Sequence, residues 1–312
     1  TAFGVVVDEF TAWEVNSNTS RIGFKGSEDL GNGLKAIWKM ETEISLSDGS
    51  SNGGPFKSAR NAYIGLAGDW GTFLYGRHDT PYKMAYYASG IDMLGDSFMD
   101  TNALYGHQEW RRDDAIAYVS PNMNGLTIAA AIVPGEGYTN TVTGETFDGM
   151  ADNYSISAMY SNNGLRLALG YEVLDQGAAS TYGDDVCATA TGGSDCTNMM
   201  VGAGYSMNGF DVSGVYIMQD YGVLEMDIAA LSASYTFGNN VVKAMYHWAE
   251  GSTPGYMFGG DYEGDAWALG IDHNFSKRSK IYALYTQVDD DLNGFPGYSG
   301  AEWEGFSLSM IH

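Results

Sequence analysis

Apolar and polar residues alternate with a period of two along most of the chain. In the clearest segment Leu165, Leu167, Leu169, Tyr171 and Val173 alternate with Arg166, Ala168, Gly170 and Glu172. The helical spacing i, i+3, i+4, i+7 does not persist over a comparable length. Because successive side chains of a strand point to opposite faces, each alternating segment predicts a strand with one apolar and one polar or small face.

This alternation predicts sixteen strands whose connections are alternately short and long. They are expected at about residues 1–11, 15–28, 33–46, 58–68, 70–78, 110–120, 124–134, 151–162, 164–175, 197–207, 209–219, 226–237, 240–249, 263–275, 279–289 and 303–312. Many strands begin or end with an aromatic residue, as at Trp38, Tyr160 and Trp248. The longest apolar runs, such as residues 128–133, are far shorter than the roughly 20 residues of a transmembrane helix.

The connections and the aromatic positions together indicate a membrane barrel. A soluble β-sandwich also alternates, but short turns at one end, long loops at the other and aromatic strand ends are typical of outer-membrane barrels. Only a closed barrel satisfies every backbone donor and acceptor in lipid. We therefore expect one domain over residues 1–312, an all-β, 16-stranded antiparallel transmembrane β-barrel with short periplasmic turns and long external loops. Sixteen strands leave room for water in the lumen.

Composition and charge narrow the function. Glycine (42) and tyrosine (22) are frequent, proline (6) is rare, and the formal net charge is −24. A surface of that sign repels phosphates, which argues against nucleic acid as a partner. The chain also lacks the short sequence motifs of serine hydrolases, zinc proteases, phosphate loops and dinucleotide-binding folds, so we expect no enzyme activity. A barrel hydrolase that assembles its site from distant residues stays an alternative.

We expect that a signal peptide has already been removed.

Two local patterns suggest stabilising groups in the external loops. Cys187 and Cys196 are the only cysteines, and in an exported protein they predict a disulfide, with two free thiols as the alternative. Asp289, Asp291 and Asn293 follow the spacing of the first half of a calcium loop, but Gly300 occupies the position of the final glutamate. We expect no cofactor, and a weak structural calcium ion is the alternative to a merely acidic loop.

Three segments resemble Gram-negative general porins, particularly the proteobacterial branch related to neisserial porins. Residues 13–38 resemble the second and third strands, residues 60–66 and 71–77 the fourth and fifth, and residues 276–282 the last periplasmic turn. The resemblance implies a homotrimer in the outer membrane of a Gram-negative bacterium, in contact with lipid and lipopolysaccharide. It also implies a third loop, about residues 79–110, that folds into the barrel. Family members usually end in Phe, so a short tail is expected after His312.

The resemblance also implies which residues line the narrowest part of the channel. A basic wall would comprise Arg21, Arg60 and either Arg111 or Arg112, with Arg77 as a further candidate, and alternation adds Lys25, Lys35 and Lys39. The facing loop carries Asp92, Asp96, Asp100 and Glu109. Such a pair of surfaces would create a transverse field that orients dipolar solutes. The alternatives are arginines that extend toward lipid headgroups and loop acids that are merely solvated.

The function implied is passive diffusion of small hydrophilic solutes and ions. A solute-specific channel is the alternative within transport. The sequence leaves anion or cation selectivity open, because the net charge of −24 favours cations whereas the arginine cluster favours anions. For the trimer, the expected contact is the loop of residues 46–58, with Phe56 as its anchor.

Overall fold

The structure is a computed structural model. It describes residues 17–18, 20–46, 56–101, 104, 110–135, 137–139, 146–174, 196–221, 225–252, 261–290 and 302–312. Its elements are β1 (Arg21–Gly31), β2 (Leu34–Ile44), β3 (Phe56–Gly68), β4 (Gly71–Asp79), α1 (Pro81–Ser89), β5 (Arg111–Val119), β6 (Leu126–Val133), β7 (Tyr138–Thr139), β8 (Thr146–Phe147), β9 (Asn153–Asn162), β10 (Leu165–Leu174), β11 (Cys196–Met207), β12 (Phe210–Asp220), β13 (Glu225–Phe237), β14 (Asn240–Ser252), β15 (Asp261–Asn274), β16 (Lys280–Asp290) and β17 (Trp303–Ile311).

Fifteen strands form one antiparallel sheet in which every strand pairs with its neighbours in chain order. The short strands β7 and β8 pair only with each other. The fifteen correspond to the second to sixteenth predicted strands, with ends that differ by a few residues. The first predicted strand, residues 1–11, lies outside the described residues. The all-β antiparallel architecture is therefore confirmed, whereas the sixteenth strand and the closure of the sheet stay predictions.

Short hairpins at one end of the sheet set the register of the strands. Four of them contain an asparagine with positive φ, namely Asn32, Asn124, Asn163 and Asn208 at 51°, 55°, 49° and 52°. Each is followed by a glycine that also has positive φ. Asn-Gly suits tight hairpin turns because both central residues then adopt left-handed conformations. The local sequence therefore fixes which strands pair and where each pairing starts.

The two faces of the sheet differ in chemistry. One face, called the outer face below, exposes large apolar side chains such as Phe24, Leu231 and Leu308, which are 63%, 63% and 72% exposed. The other, called the inner face, carries small and polar residues and packs against the segment between β4 and β5. Among the described residues no helix is long and apolar enough to cross a membrane.

The segment that follows β4 forms a helix that alternation did not predict. Thr80 caps α1 by accepting a hydrogen bond from the backbone amide of Lys83, Pro81 occupies the first turn, and Gly90 ends the helix with φ 83°. These are the sequence signals of a helix start and end. Tyr82 and Tyr86 are buried between α1 and the sheet, so the main core lies on the inner face.

Candidate constriction site

The segment of residues 80–101, called the constriction loop below, crosses the inner face of most of the sheet. The backbone amide of Tyr82 donates to Ser155 Oγ of β9 at 2.9 Å. Further along, Met93 O accepts from Lys243 Nζ of β14 at 2.7 Å. The ring of Phe98 meets Trp303 of β17 edge-on, with centroids 5.6 Å apart.

Both ends of the sheet approach the same part of this loop. Asn18 Nδ2, just before β1, donates to Asp96 O at 3.1 Å. Two residues later, Phe98 contacts Trp303 of β17. The two edges of the described sheet therefore lie near one loop segment of three residues, as in a strongly curved sheet.

Arg21, Lys25 and Lys39 lie together on the inner face of β1 and β2. Lys25 pairs with Lys39 in the β1–β2 register, and Arg21 pairs with Glu43. The intervening residues of β1, such as Phe24, are on the outer face. These three basic side chains, with Arg60 and Arg111 described next, are called the basic wall.

Glu41 connects two basic side chains of the wall, Lys39 and Arg60, and was not among the residues expected there. Its carboxylate lies 3.1 Å from Lys39 Nζ and 3.2 Å from Arg60 Nε. A β-bulge explains the second contact, because Met40 pairs with Ala62 but Thr42 pairs with Ala59. The extra residue turns Arg60 toward Glu41. Alternation alone already places Glu41 on the face of Lys39, so its position could have been found from the sequence.

Arg111 is held where the constriction loop leaves β4. Its Nη2 lies 2.6 Å from Asp79 Oδ1, and its Nε donates to Asn61 Oδ1 at 2.9 Å. Asn61 Nδ2 donates in turn to Asp79 Oδ2 at 2.7 Å. Lys83 Nζ of α1 lies 3.9 Å from Asp79. This network joins the basic wall to the first turn of the loop helix.

Arg112 and Arg77 lie elsewhere. The Arg112 guanidinium is buried over the ring of Trp110, 4.3 Å from its centroid, so Arg111 is the member of this pair that joins the basic wall. Arg77 pairs in register with Ala62, and Ala62 pairs with the exposed Met40 of the outer face. Arg77 Nη1 donates to Asp113 at 2.8 Å. The structure therefore places Arg77 on the outer face, because it continues the alternation of β4.

The acidic residues of the loop occupy different environments. Asp92 lines a cavity of about 200 Å³ between the loop and β14–β17, together with Lys243 and Lys280. Asp96 is exposed and Asp100 is half-buried. Glu109 lies outside the described residues. Three of the four expected acids therefore belong to the described loop, and their contribution to a transverse field stays a prediction.

Two further ion-pair groups on the inner face were not expected. Lys243 and Lys280 converge on Asp272 Oδ2 at 2.9 and 2.7 Å. Arg166 binds Asp211 through both terminal nitrogens, at 2.9 and 2.7 Å. Alternation places all five side chains on the polar faces of their strands. Their pairing depends on register across several strands, which the sequence alone did not reveal.

The expected loop-stabilising groups are only partly described. Cys196 begins β11, is fully buried and is disulfide-bonded, but Cys187 lies outside the described residues, so their pairing stays a prediction. Asp289 is exposed at the end of β16, while Asp291 and Asn293 also fall outside. In the described part of the chain no three His, Cys, Asp or Glu side chains are grouped to hold a metal ion. The calcium site also stays a prediction.

Comparison with protein families and sequences finds a consistent group of relatives. A family model described as Gram-negative porin matches residues 5–293. The major outer membrane protein P.IB of Neisseria meningitidis serogroup B is 27% identical over 270 residues, which cover 83% of this chain and 73% of that protein. The P.IA protein of the same species is 39% identical over 118 residues, which cover 37% of this chain but span only 28% of that protein's length.

Solved structures share the architecture. An anion-selective porin from Comamonas acidovorans superimposes with a TM-score of 0.73 at 23% identity, covering 95% of this chain and 90% of that one. The OmpF protein of Salmonella typhi, solved with daunomycin, gives a TM-score of 0.67 at 16% identity and covers 93% and 88% of the two chains. At these identities the likeness concerns the fold.

Proposed function

Because the chain belongs to the Gram-negative porin family, we propose that it forms a water-filled channel for passive diffusion of small hydrophilic solutes and ions across the outer membrane. The family indicates a channel rather than an enzyme. The observation that carries the proposal is the course of the constriction loop, which lies on the inner face of β9–β17 and whose first turn is linked through Asp79 to Arg111 of the basic wall. Size and charge at such a narrowing decide what a channel passes.

The channel wall that we propose is a closed barrel of sixteen strands. Residues 1–11 would form the remaining strand and pair with both edges of the described sheet. The approach of Asn18 and Trp303 to the same loop segment supports closure. The outer face supports contact with lipid, because its exposed side chains are predominantly apolar along the middle of the strands.

The basic wall and the acidic residues of the loop suggest whether the channel prefers anions or cations. Five basic side chains, Arg21, Lys25, Lys39, Arg60 and Arg111, share the wall with Glu41, Glu43 and Asp79. The wall therefore keeps a positive excess despite the net charge of −24 for the whole chain. We propose that this excess gives a weak preference for anions. The anion-selective neighbour from Comamonas acidovorans supports the direction.

We also propose a homotrimer in the outer membrane, in contact with lipid and lipopolysaccharide. A trimer form is recorded for one structural neighbour, OmpT of Vibrio cholerae. The expected contact involves residues 46–58, of which Phe56 is described as 61% exposed at the start of β3. Chemical cross-linking of the detergent-solubilised protein should yield a trimer band. A protein that conducts normally but cross-links only as a monomer would contradict the trimer.

Reconstitution in planar bilayers tests the channel directly. The purified protein should produce stepwise current increases whose size grows linearly with salt concentration. Liposomes that contain it should swell in small sugars at rates that fall with solute size. An electrically silent protein that is correctly folded, judged by its β-sheet circular dichroism, would refute the channel. Saturating conductance would instead indicate a solute-specific channel.

A further inference from the structure

The loop helix α1 lies along one strand of the wall, β10. A Cβ added at Gly170 would lie 3.0 Å from Tyr82 Cδ2 and 3.4 Å from Ala85 Cβ. Toward the end of the helix, Arg166 Nε donates to Ser89 O at 3.3 Å. Glycine at position 170 therefore lets the helix approach the strand closely, and the helix runs in the opposite direction to β10.

The first turn of α1 meets an acidic side chain of the same strand. Glu172 is 1% exposed and lines a cavity of about 10 Å³ together with Thr80, Ser155 and Arg112. Thr80 is the residue that caps α1. A carboxylate near the start of a helix is stabilised by the partial positive charge of the free backbone amides. The Arg112 side chain lines the same small cavity.

The last turn of α1 meets a basic side chain of β10 that is itself rigidly held. Arg166 binds Asp211 through both terminal nitrogens and donates to Ser213 Oγ at 2.8 Å. Its Nε is then directed to Ser89 O, a carbonyl at the end of the helix. A cation near the end of a helix is stabilised by the partial negative charge of the last carbonyls.

We infer that Glu172 and Arg166 are positioning residues that hold α1, and with it the constriction loop, against the wall of the channel. Glu172 lies at the start of the helix and Arg166 at its end, and Ala168 and Gly170 between them provide the close surface. This inference rests on the proposed channel function. It assigns the seat of α1 mainly to β10, whose inner-face residues are Arg166, Ala168, Gly170 and Glu172.

Replacement of Arg166 by methionine tests the inference. Loss of a charge-assisted hydrogen bond should raise the population of displaced helix on the order of tenfold. We expect larger open-channel current noise and a larger polyethylene glycol that still enters the channel. Arg166→Lys, which keeps the charge, should recover part of the wild-type behaviour, and Glu172→Ala, which removes the buried side chain at the start of the helix, should alter the same two readouts. Arg278→Met, which removes an exposed charge from the last short turn, is the matched control and should behave as wild type.

A disulfide staple separates a positioning role from general damage. Cysteines at positions 85 and 170 would have Cβ atoms about 3.4 Å apart, close to disulfide geometry. Added to Arg166→Met, the oxidised staple should restore the noise and polymer exclusion of a stapled protein that keeps Arg166, and reduction should abolish the rescue. Arg166→Met without the staple serves as the control for the reducing agent. If the disulfide forms but rescues nothing, or if Arg166→Met behaves as wild type, the inference is wrong. A folded wild type that does not conduct would instead refute the proposed function.

Discussion

Neutralising Glu41 should make the channel more selective for anions. Its carboxylate is the common acceptor of Lys39 and Arg60, and all three side chains are mostly buried in the wall. Glu41→Gln keeps the size and a hydrogen-bond acceptor but removes one negative charge. The substitution removes one of the negative charges that offset the basic side chains of the wall, so the electrostatic potential next to the wall becomes more positive.

The expected size of the effect follows from Coulomb's law. A unit charge about 5 Å from a permeating ion contributes about 0.8 kcal/mol in water, and screening at 0.1 M salt reduces this to about 0.5 kcal/mol. That energy changes the partition of an anion about 2.3-fold and that of a cation about 2.3-fold in the opposite direction. The ratio of anion to cation permeability should therefore rise about fivefold.

Reversal potentials across a bilayer with a salt gradient measure this ratio. Arg60→Gln should shift the potential in the opposite direction, because it removes a positive charge from the same pair. Glu263→Gln removes the same charge from the outer face, where Trp248 Nε1 donates to it at 3.2 Å, and should leave selectivity unchanged. If Glu41→Gln and Glu263→Gln shift the potential equally, the charge of the wall does not control selectivity.

Two other changes test the packing of the loop and the predicted disulfide. A Cβ at Gly202 would lie only 2.6 Å from Ser89 Cβ, so Gly202→Leu should push α1 into the lumen and lower single-channel conductance. Gly214→Leu is the control, because a Cβ at Gly214 would contact only an outer-face leucine and a backbone oxygen. Unaltered conductance in Gly214→Leu would show that the lower conductance of Gly202→Leu comes from displacement of the loop. Cys187→Ser should lower the free energy of unfolding by about 2–3 kcal/mol, because it removes the expected disulfide with Cys196. Mass spectrometry of the alkylated, unreduced wild type should then find no free thiol.

The alternation of side chains predicted most of the sheet because each strand contacts lipid on one face and the lumen on the other. It also placed Lys25 and Lys39 on one face, as the register confirms. The alternation of side chains did not predict α1, since nine residues are too few to establish a helical period. The capping residues Thr80, Pro81 and Gly90 were the only features of the sequence that indicated this helix. For short helices in long loops, the caps carry more information than periodicity.

Bulges and register account for what could not be predicted at the constriction. Arg60 reaches Glu41 because the β2–β3 pairing shifts by one residue, and a shift of this kind has no counterpart in alternation. Arg166 and Asp211 lie on β10 and β12, so their contact requires the register of β11 between them. Glu41, by contrast, was accessible to sequence reasoning, since it lies two residues from Lys39.

The connection of the constriction loop to strands that come much later in the chain has a consequence for assembly. Neighbouring strands are joined by short turns, whereas Arg166 and Ser89 are 77 residues apart and Lys243 and Met93 are 150 apart. Contacts between distant segments cost more chain entropy to form and slow folding. The loop has no surface to dock on until β9–β16 have been made and paired. The size limit of the channel is therefore set late in folding, because paired strands without their loop would leave a wider hole in the membrane.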